Sequence, residues 1–308
     1  MGKISMQTIG LYRTGRVADG YRLVKEAGFD AVDANVDSLS SWKICAEKGI
    51  PEAFRPELSE AECLAYFKPF KDAAEEYGLE NYQAHALYPT CLAKEDDAEY
   101  DRFLLTCVEK TIRAMDYINC RNLVVHPFFK SFDYQVSKEE EWQKNIDSYA
   151  QLIPAAKAYG VKINLENMFI VSHEGEIVEA ICGDPDEACR YIDTLNGIAG
   201  EKVFGFCLDT GHVNLGKRDL QDVMVKLGDR ISCFHVHDND GKHDQHLVPY
   251  WGTTDWDRFS EGLKMIGYRN TLSCEGGNTW GRVPEELRPA LLKFTADSLR
   301  RMTEKAGY

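Results

Sequence analysis

Four apolar runs in the second half of the chain each end on a side chain able to bind a metal, and this pattern most restricts the fold. Lys162-Ile-Asn-Leu-Glu166 and Phe204-Gly-Phe-Cys-Leu-Asp209 end on carboxylates. Ile231-Ser-Cys-Phe-His-Val-His237 ends on an imidazole, and Thr271-Leu-Ser-Cys-Glu275 on a carboxylate again. The ends lie 43, 28 and 38 residues apart, room each time for a loop, a helix and the next strand. Buried parallel strands read as near-continuous apolar runs, and a charge closing each one is costly unless it finds a partner. In a (β/α)8 barrel the strand ends meet on one face. Glu166, Asp209, His237 and Glu275 are therefore expected to form a divalent-cation site. His235 shares the face of His237, two residues away, and is placed one layer lower. The mixed oxygen and nitrogen set suits Mn²⁺ first, then Mg²⁺, Co²⁺ or Zn²⁺, and disfavours soft ions.

The rest of the chain completes the alternation. Strands are predicted at 4–9, 29–33, 81–85 and 122–126, ahead of the four runs above. Helices are predicted at 15–28, from Ser59 to near Gly78, and at 98–117, 138–159, 185–195, 219–227, 255–266 and 284–305. Ser59-Glu-Ala-Glu62 has the form of a capping box, and Gly160 stops the helix before it. Residues 34–56, with Trp42, Pro51 and Pro56, read as an irregular insertion over the catalytic face. No composition break or linker interrupts residues 1–308, so a single domain is expected: an α/β chain closed into a (β/α)8, or TIM, barrel. Closure removes the two exposed sheet edges.

Composition narrows the function. The formal charge of −14 opposes a nucleic-acid surface, where phosphate neutralisation supplies much of the affinity. No apolar run reaches the ~18 residues of a membrane span. The first residues lack signal-peptide architecture, and the ten cysteines form no CxxC pair. They read as small buried hydrophobes in a reducing cytoplasm.

A second set of polar residues falls near the same strand ends. Asp209-Thr-Gly-His212 puts an imidazole just past the ligand aspartate, within reach of a substrate. His85 and His126 close the third and fourth strands, and Asp244-Gln-His246 follows in a polar loop; His173 stands apart. His126, Asp244 and His246 are candidate substrate contacts. Trp42, Phe128, Phe129, Tyr250, Trp251 and Trp280 fall in predicted top-face segments, and Trp42 and Trp280 are candidate stacking faces for a polyhydroxylated ring. Arg13, Lys242 or Arg282 could meet a phosphate or carboxylate.

Leu165-Glu-Asn167, Leu208-Asp-Thr-Gly-His212, His235-Val-His-Asp-Asn-Asp-Gly241, Gly252-Thr-Thr-Asp-Trp256 and Cys274-Glu-Gly276 resemble the sugar phosphate isomerase/epimerase superfamily, the xylose isomerase-like barrels. The resemblance spans nearly the whole barrel. It implies that Glu166, Asp209, His237 and Glu275 hold one metal and that His212 contacts substrate. It also implies that Glu166 and Glu275 move protons on opposite faces of a keto-sugar. The ketose 3-epimerases of this group usually carry an Arg after the seventh-strand His; here that loop reads Asp-Asn-Asp-Gly-Lys242-His243.

The expected activity is therefore a metal-dependent isomerisation or epimerisation of a sugar-derived carbonyl compound. A lyase or dehydratase acting on a keto-sugar or 3-keto-glycoside uses the same first step, and the C-glycoside-cleaving relatives work with a small partner subunit. Homo-oligomers are common in the superfamily. Endonuclease IV also resembles the pattern: its three-zinc site would find His85, His126, Glu166, Asp209, His212, His237, Asp244, His246 and Glu275 here. The charge and the scarcity of Lys and Arg in the loops rank phosphodiester hydrolysis below the sugar chemistry.

Overall fold

The computed structural model describes residues 2–8, 10–11, 16–35, 52–55, 57–87, 98–130 and 136–308. Eight parallel strands form one sheet: β1 (Ile4–Gln7), β2 (Ala31–Asn35), β3 (Glu80–His85), β4 (Asn122–Val124), β5 (Lys162–Glu166), β8 (Phe204–Asp209), β9 (Ile231–His235) and β10 (Leu272–Cys274). Their order is β10-β1-β2-β3-β4-β5-β8-β9. A parallel bridge between Val236 and Cys274, with Val236 N donating to Ser273 O at 2.8 Å, joins the ends into a barrel. Between β5 and β8 stands an antiparallel hairpin, β6 (Phe169–Val171) and β7 (Ile177–Glu179), where the sequence pattern suggested only a loop.

The helices among the described residues are α1 (Val17–Glu26), α2 (Glu60–Ala65), α3 (Lys68–Tyr77), α4 (Ala98–Tyr117), α5 (Lys138–Tyr159), α6 (Pro185–Ala199), α7 (Thr210–Leu215), α8 (Leu220–Leu227), α9 (Trp256–Met265) and α10 (Arg288–Ala306). Local chemistry sets their ends. Ser59 and Glu62 make the reciprocal capping box of α2. Asp184, Asp219 and Asp255 accept first-turn amides of α6, α8 and α9, and Gly160 ends α5 at φ 60°, a conformation glycine adopts without strain. Helix α1 buries Val17, Tyr21 and Val24, the spacing of one helical face.

Two layers result. One continuous apolar core lies between sheet and helices; a second, much smaller cluster joins Val124, Cys207 and Cys233. Inward-facing positions alternate along each strand. They carry Ser5 and Ser273, whose hydroxyls meet at 3.0 Å, and above them Gln7, Glu166, Asp209 and Glu275. Among the described residues, Cys63, Cys120, Cys182, Cys189, Cys207, Cys233 and Cys274 are free thiols. No helix of the described residues is long and apolar enough to cross a membrane.

The predicted strand ends move by one or two residues. β4 stops at Val124 and β9 at His235, with single backbone hydrogen bonds carrying on through Val125 and Val236 to the neighbouring strands. The insertion around Trp42, and Arg13, lie outside the described residues.

Behind the hairpin, Glu141 of α5 and Glu187 of α6 share a half-buried space with Lys138. Burial, then the Glu187 charge, push Glu141 up to about 7 against the pull of Lys138. A carboxyl raised by folding contributes stability below its ordinary pKa of ~4.3 and loses it as pH rises through the folded value. Glu141→Gln is expected to raise the thermal midpoint at about pH 8.5 and to leave it unchanged near pH 4. Melting curves at the two pH values check this, and equal shifts at both would rule it out.

Candidate active site

Each strand end delivers one functional side chain. Glu166 closes β5 and is 1% exposed. Its Oε1 lies 3.0 Å from His235 Nδ1, and its Oε2 lies 3.1 Å from His126 Nε2 and 3.8 Å from His85 Nε2. Glu275, just past β10, places Oε2 3.1 Å from the same His235 Nδ1, while its Oε1 accepts from Gln7 Nε2 at 2.6 Å. One imidazole nitrogen thus sits between two buried carboxylates.

Asp209 closes β8 and caps α7 through His212 N at 2.7 Å. Its other oxygen meets His237 Nε2 at 2.9 Å. His237 is turned toward Asp209 because its backbone has left β9: Thr210 Oγ1 accepts from His237 N at 3.0 Å and donates to His237 O at 2.8 Å. Further out, His246 stacks on His237 with centroids 4.2 Å apart and bonds Asp244 at 2.9 Å. His212 Nδ1 lies 2.7 Å from the Asn167 carbonyl; it donates there, leaving Nε2 toward Asp244.

The charges follow from these contacts. Burial would raise Glu166, but His235 and His126 hold it well below the usual carboxylate range. Burial would lower His235, yet Glu275 and Glu166 hold it well above the ordinary imidazole value. In the same way His85, opposed by burial and carried by Glu166, is raised to about 9, and His246, carried by Asp244, to about 10. His126 is lowered by burial and by its neighbour His85.

Potential ligand atoms fall into overlapping groups with mutual separations within 4.8 Å: Glu166, Asp209, His235 and Glu275; His85, His126 and Glu166; His212, His237, Asp244 and His246. Ligands on opposite sides of an ion with bonds of ~2.0–2.4 Å are ~4–5 Å apart, so the spacing fits a cation. Asp244 Oδ1, buried without a hydrogen-bond partner, fits as well. Of the expected set, the structure brings Glu166, Asp209 and Glu275 together, with His235 as the imidazole between them. His237 reaches Asp209 but groups with His212, Asp244 and His246.

Of these residues, His85, His126, Glu166, His212, Asp244, His246 and Glu275 line a cavity of about 550 Å³, while Asp209, His235 and His237 are fully buried and do not. His126, His212, Asp244 and His246 line it as expected. Trp280 does not: it is 1% exposed, inside a short turn (Gly277–Arg282), and does not line the cavity. Phe128 and Phe129 are buried in the core, and Tyr250 and Trp251 face solvent. The apolar lining comes instead from Met168, Phe169, Ile170 and Val171 of the hairpin, which the sequence pattern missed. Gln7 and Asn167 were missed too; neither ends a run on a charge.

A (β/α)8 barrel with carboxylates and imidazoles at its strand ends defines a barrel enzyme-like scaffold with a metal-type site. The family model described as a xylose isomerase-like TIM barrel matches residues 21–301, and the chain belongs to that family. Among solved structures, the barrel is similar to a 3-keto-D-glucoside 4-epimerase from E. coli: 18% identity, TM-score 0.72, covering 98% of this chain and 100% of that one. Among sequences, it is 26% identical over 180 residues to an uncharacterised protein of Methanocaldococcus jannaschii, 58% of each chain. It is 24% identical over 179 residues to the inosose isomerase of Bacillus subtilis, 56% of this chain and 57% of that one. The matched stretch thus spans just over half the length of these relatives.

Gly211 of the Asp-Thr-Gly-His run has a local reason. A Cβ there would overlap the His237 ring, so only glycine lets the two approach. Gly211→Ala is expected to cost ~1–3 kcal/mol of stability, as overpacking does, and to lower bound-metal content. Urea denaturation with elemental analysis checks both; an unchanged metal content would show that His237 contributes nothing to ion binding.

Proposed function

We propose that the protein is a divalent-metal-dependent isomerase or epimerase of a sugar-derived carbonyl compound, with residues 1–308 as one catalytic domain in the cytoplasm. The observation that carries this is the convergence of three carboxylates and an imidazole within 4.8 Å, two of which, Glu166 and Glu275, line the cavity. Glu166, Asp209 and Glu275 would hold the ion, Mn²⁺ before Mg²⁺, Co²⁺ or Zn²⁺. The strand-seven imidazole would come from His235 by proximity or His237 by resemblance. Such an ion supplies Lewis-acid polarisation of a carbonyl and acidifies the neighbouring C–H.

The chain's own residues do the rest. Glu166 and Glu275 stand on two sides of His235 Nδ1, so one can take a proton from a carbon and the other return one to the opposite face. Gln7 fixes Glu275 through Oε1. His212, its Nδ1 committed to Asn167 O, offers Nε2 to a substrate hydroxyl. The same first step followed by loss of a β-substituent gives a lyase. The sugar-epimerase and inosose-isomerase names of similar proteins support the carbohydrate class.

A multi-ion phosphodiesterase is the second reading, favoured by the ligand-like groups around His85 and His246. Against it, no Lys or Arg lines the cavity among the described residues, and the net charge is −14.

Incubation of the Mn²⁺-loaded protein with keto-sugars in D₂O is expected to place deuterium beside the carbonyl, read by NMR. Glu166→Gln and Glu275→Gln should each reduce that exchange at least ~10²-fold. Near wild-type exchange in either variant would sink the acid/base roles, and about three zinc ions per purified chain would favour the second reading. His235→Ala against His237→Ala, compared by metal content, identifies the imidazole ligand.

A further inference from the structure

Beneath the strand ends the barrel interior holds a donor of another kind. Cys207 lies two residues before Asp209 on β8, so its side chain enters the barrel on the same face, one layer lower. It is the register partner of Glu166 across the β5–β8 ladder and of Cys233 on β9. With Val124 and Cys233 it makes up the small second cluster, and it is fully buried.

Ligand atoms of Cys207, Glu166 and His235 lie within 4.8 Å of one another. His235 Nδ1 stands 3.0 Å from Glu166 Oε1. Its Nε2 faces Asp33 Oδ2 at 3.4 Å, the kind of carboxylate that orients metal-binding imidazoles from behind. Thiolate, imidazole and carboxylate are the three ligand types of zinc, with bonds of ~2.0–2.3 Å that set the ligands ~3.3–3.9 Å apart around a tetrahedral ion. Sulfur selects such thiophilic ions, whereas oxygen-rich sets suit Mn²⁺ or Mg²⁺. The sequence-based expectation that the donor set disfavours soft ions therefore describes the upper layer alone.

We infer that Cys207, His235 and Glu166 form a second cation position, selective for Zn²⁺ and other thiophilic ions, beneath the oxygen-rich one of Glu166, Asp209 and Glu275. Both positions draw on Glu166 and His235, and a neutral imidazole has one lone pair to give, so the two ions compete. Binding replaces the S–H bond of Cys207 with a metal–sulfur bond and releases one proton to solvent. The competition rests on the metal reading above; the sulfur ligand does not.

The test is titration of the metal-free protein with Co²⁺, a spectroscopic substitute for Zn²⁺. A sulfur-to-cobalt charge-transfer band is expected in the near ultraviolet. Cys207→Ser should abolish it, and Cys63→Ser, at a buried thiol of the outer helix α2, should keep it. Glu275→Gln, at a residue of the upper group alone, should keep the band and weaken Mn²⁺ binding at least ~10-fold. In calorimetric competition, Cys207→Ser should move the ratio of Zn²⁺ to Mn²⁺ affinity at least ~10-fold toward Mn²⁺. X-ray absorption of the Zn²⁺-loaded wild type should show a sulfur neighbour at ~2.3 Å, a reading that needs no variant. Bound Co²⁺ without the band, no Co²⁺ binding, a band that survives Cys207→Ser, or a zinc shell without sulfur would each overturn the inference. The band without deuterium exchange into keto-sugars would retain the sulfur position and remove the proposed chemistry. Exchange without the band would remove the sulfur position alone.

Discussion

The barrel top is organised around one desolvated charge, the Glu166 carboxylate. At 1% exposure it cannot be solvated by water, and an unpaired buried charge costs several kcal/mol. His235, His126, His85 and His212 all approach it within 4 Å. Those imidazoles are oriented by that need, and each in turn engages a second group: His235 reaches Glu275, His85 bonds Ala86 O, His126 meets His85, and His212 bonds Asn167 O. Removing the carboxylate would take away the charge that, with Glu275, raises His85 and His235 against burial. The site and the barrel interior are therefore one electrostatic unit.

That unit is possible because stability is supplied elsewhere. Most such barrels fill their interior with branched apolar residues. Here the lower interior uses small groups, Ser5, Ser273, Cys207 and Cys233, and the upper layer is polar. The large apolar core lies outside the sheet, against the helices. Segregation of this kind lets the interior hold a functional arrangement of carboxylates that would be too costly for a chain relying on its interior for stability.

Much of this was legible in the sequence, for definite reasons. Fully buried parallel strands leave uninterrupted apolar runs, and a charge at the end of each run marks the face where the strands converge. The bounds of α4 and α5 follow from helical periodicity and from Gly160. The hairpin escaped because β6 and β7 are three residues each, too short for an alternating pattern to declare itself; Gly175 at φ 81° was its one local mark. Position in the sequence favours His237, the residue nearer the strand end, whereas the structure puts His235 Nδ1 between Glu166 and Glu275 and holds the His237 backbone on Thr210. Trp280 misled for the opposite reason: an aromatic residue in a predicted loop is expected at the surface, whereas here its ring packs over Gly10.

Ligand inventory alone does not separate sugar chemistry from phosphodiester chemistry on this scaffold. Glu166 belongs to more than one ligand group, and Asp209 links the group at Glu275 to His237, so the same residues could serve one ion or several. What separates the two is the charge around them. A nucleic-acid backbone is held by cations whose counterion exchange supplies the affinity, and the described cavity wall presents carboxylates, imidazoles and hydrocarbon. Imidazoles raised by Glu166 and Asp244 are already committed to those carboxylates and add no net positive field. A neutral polyol needs no such field; it needs many short-range donors and acceptors in fixed positions, which buried, mutually bonded His, Asp, Gln and Asn side chains provide. The electrostatics of the cavity, more than its metal-binding potential, favour the proposed carbohydrate reading over the phosphodiester one.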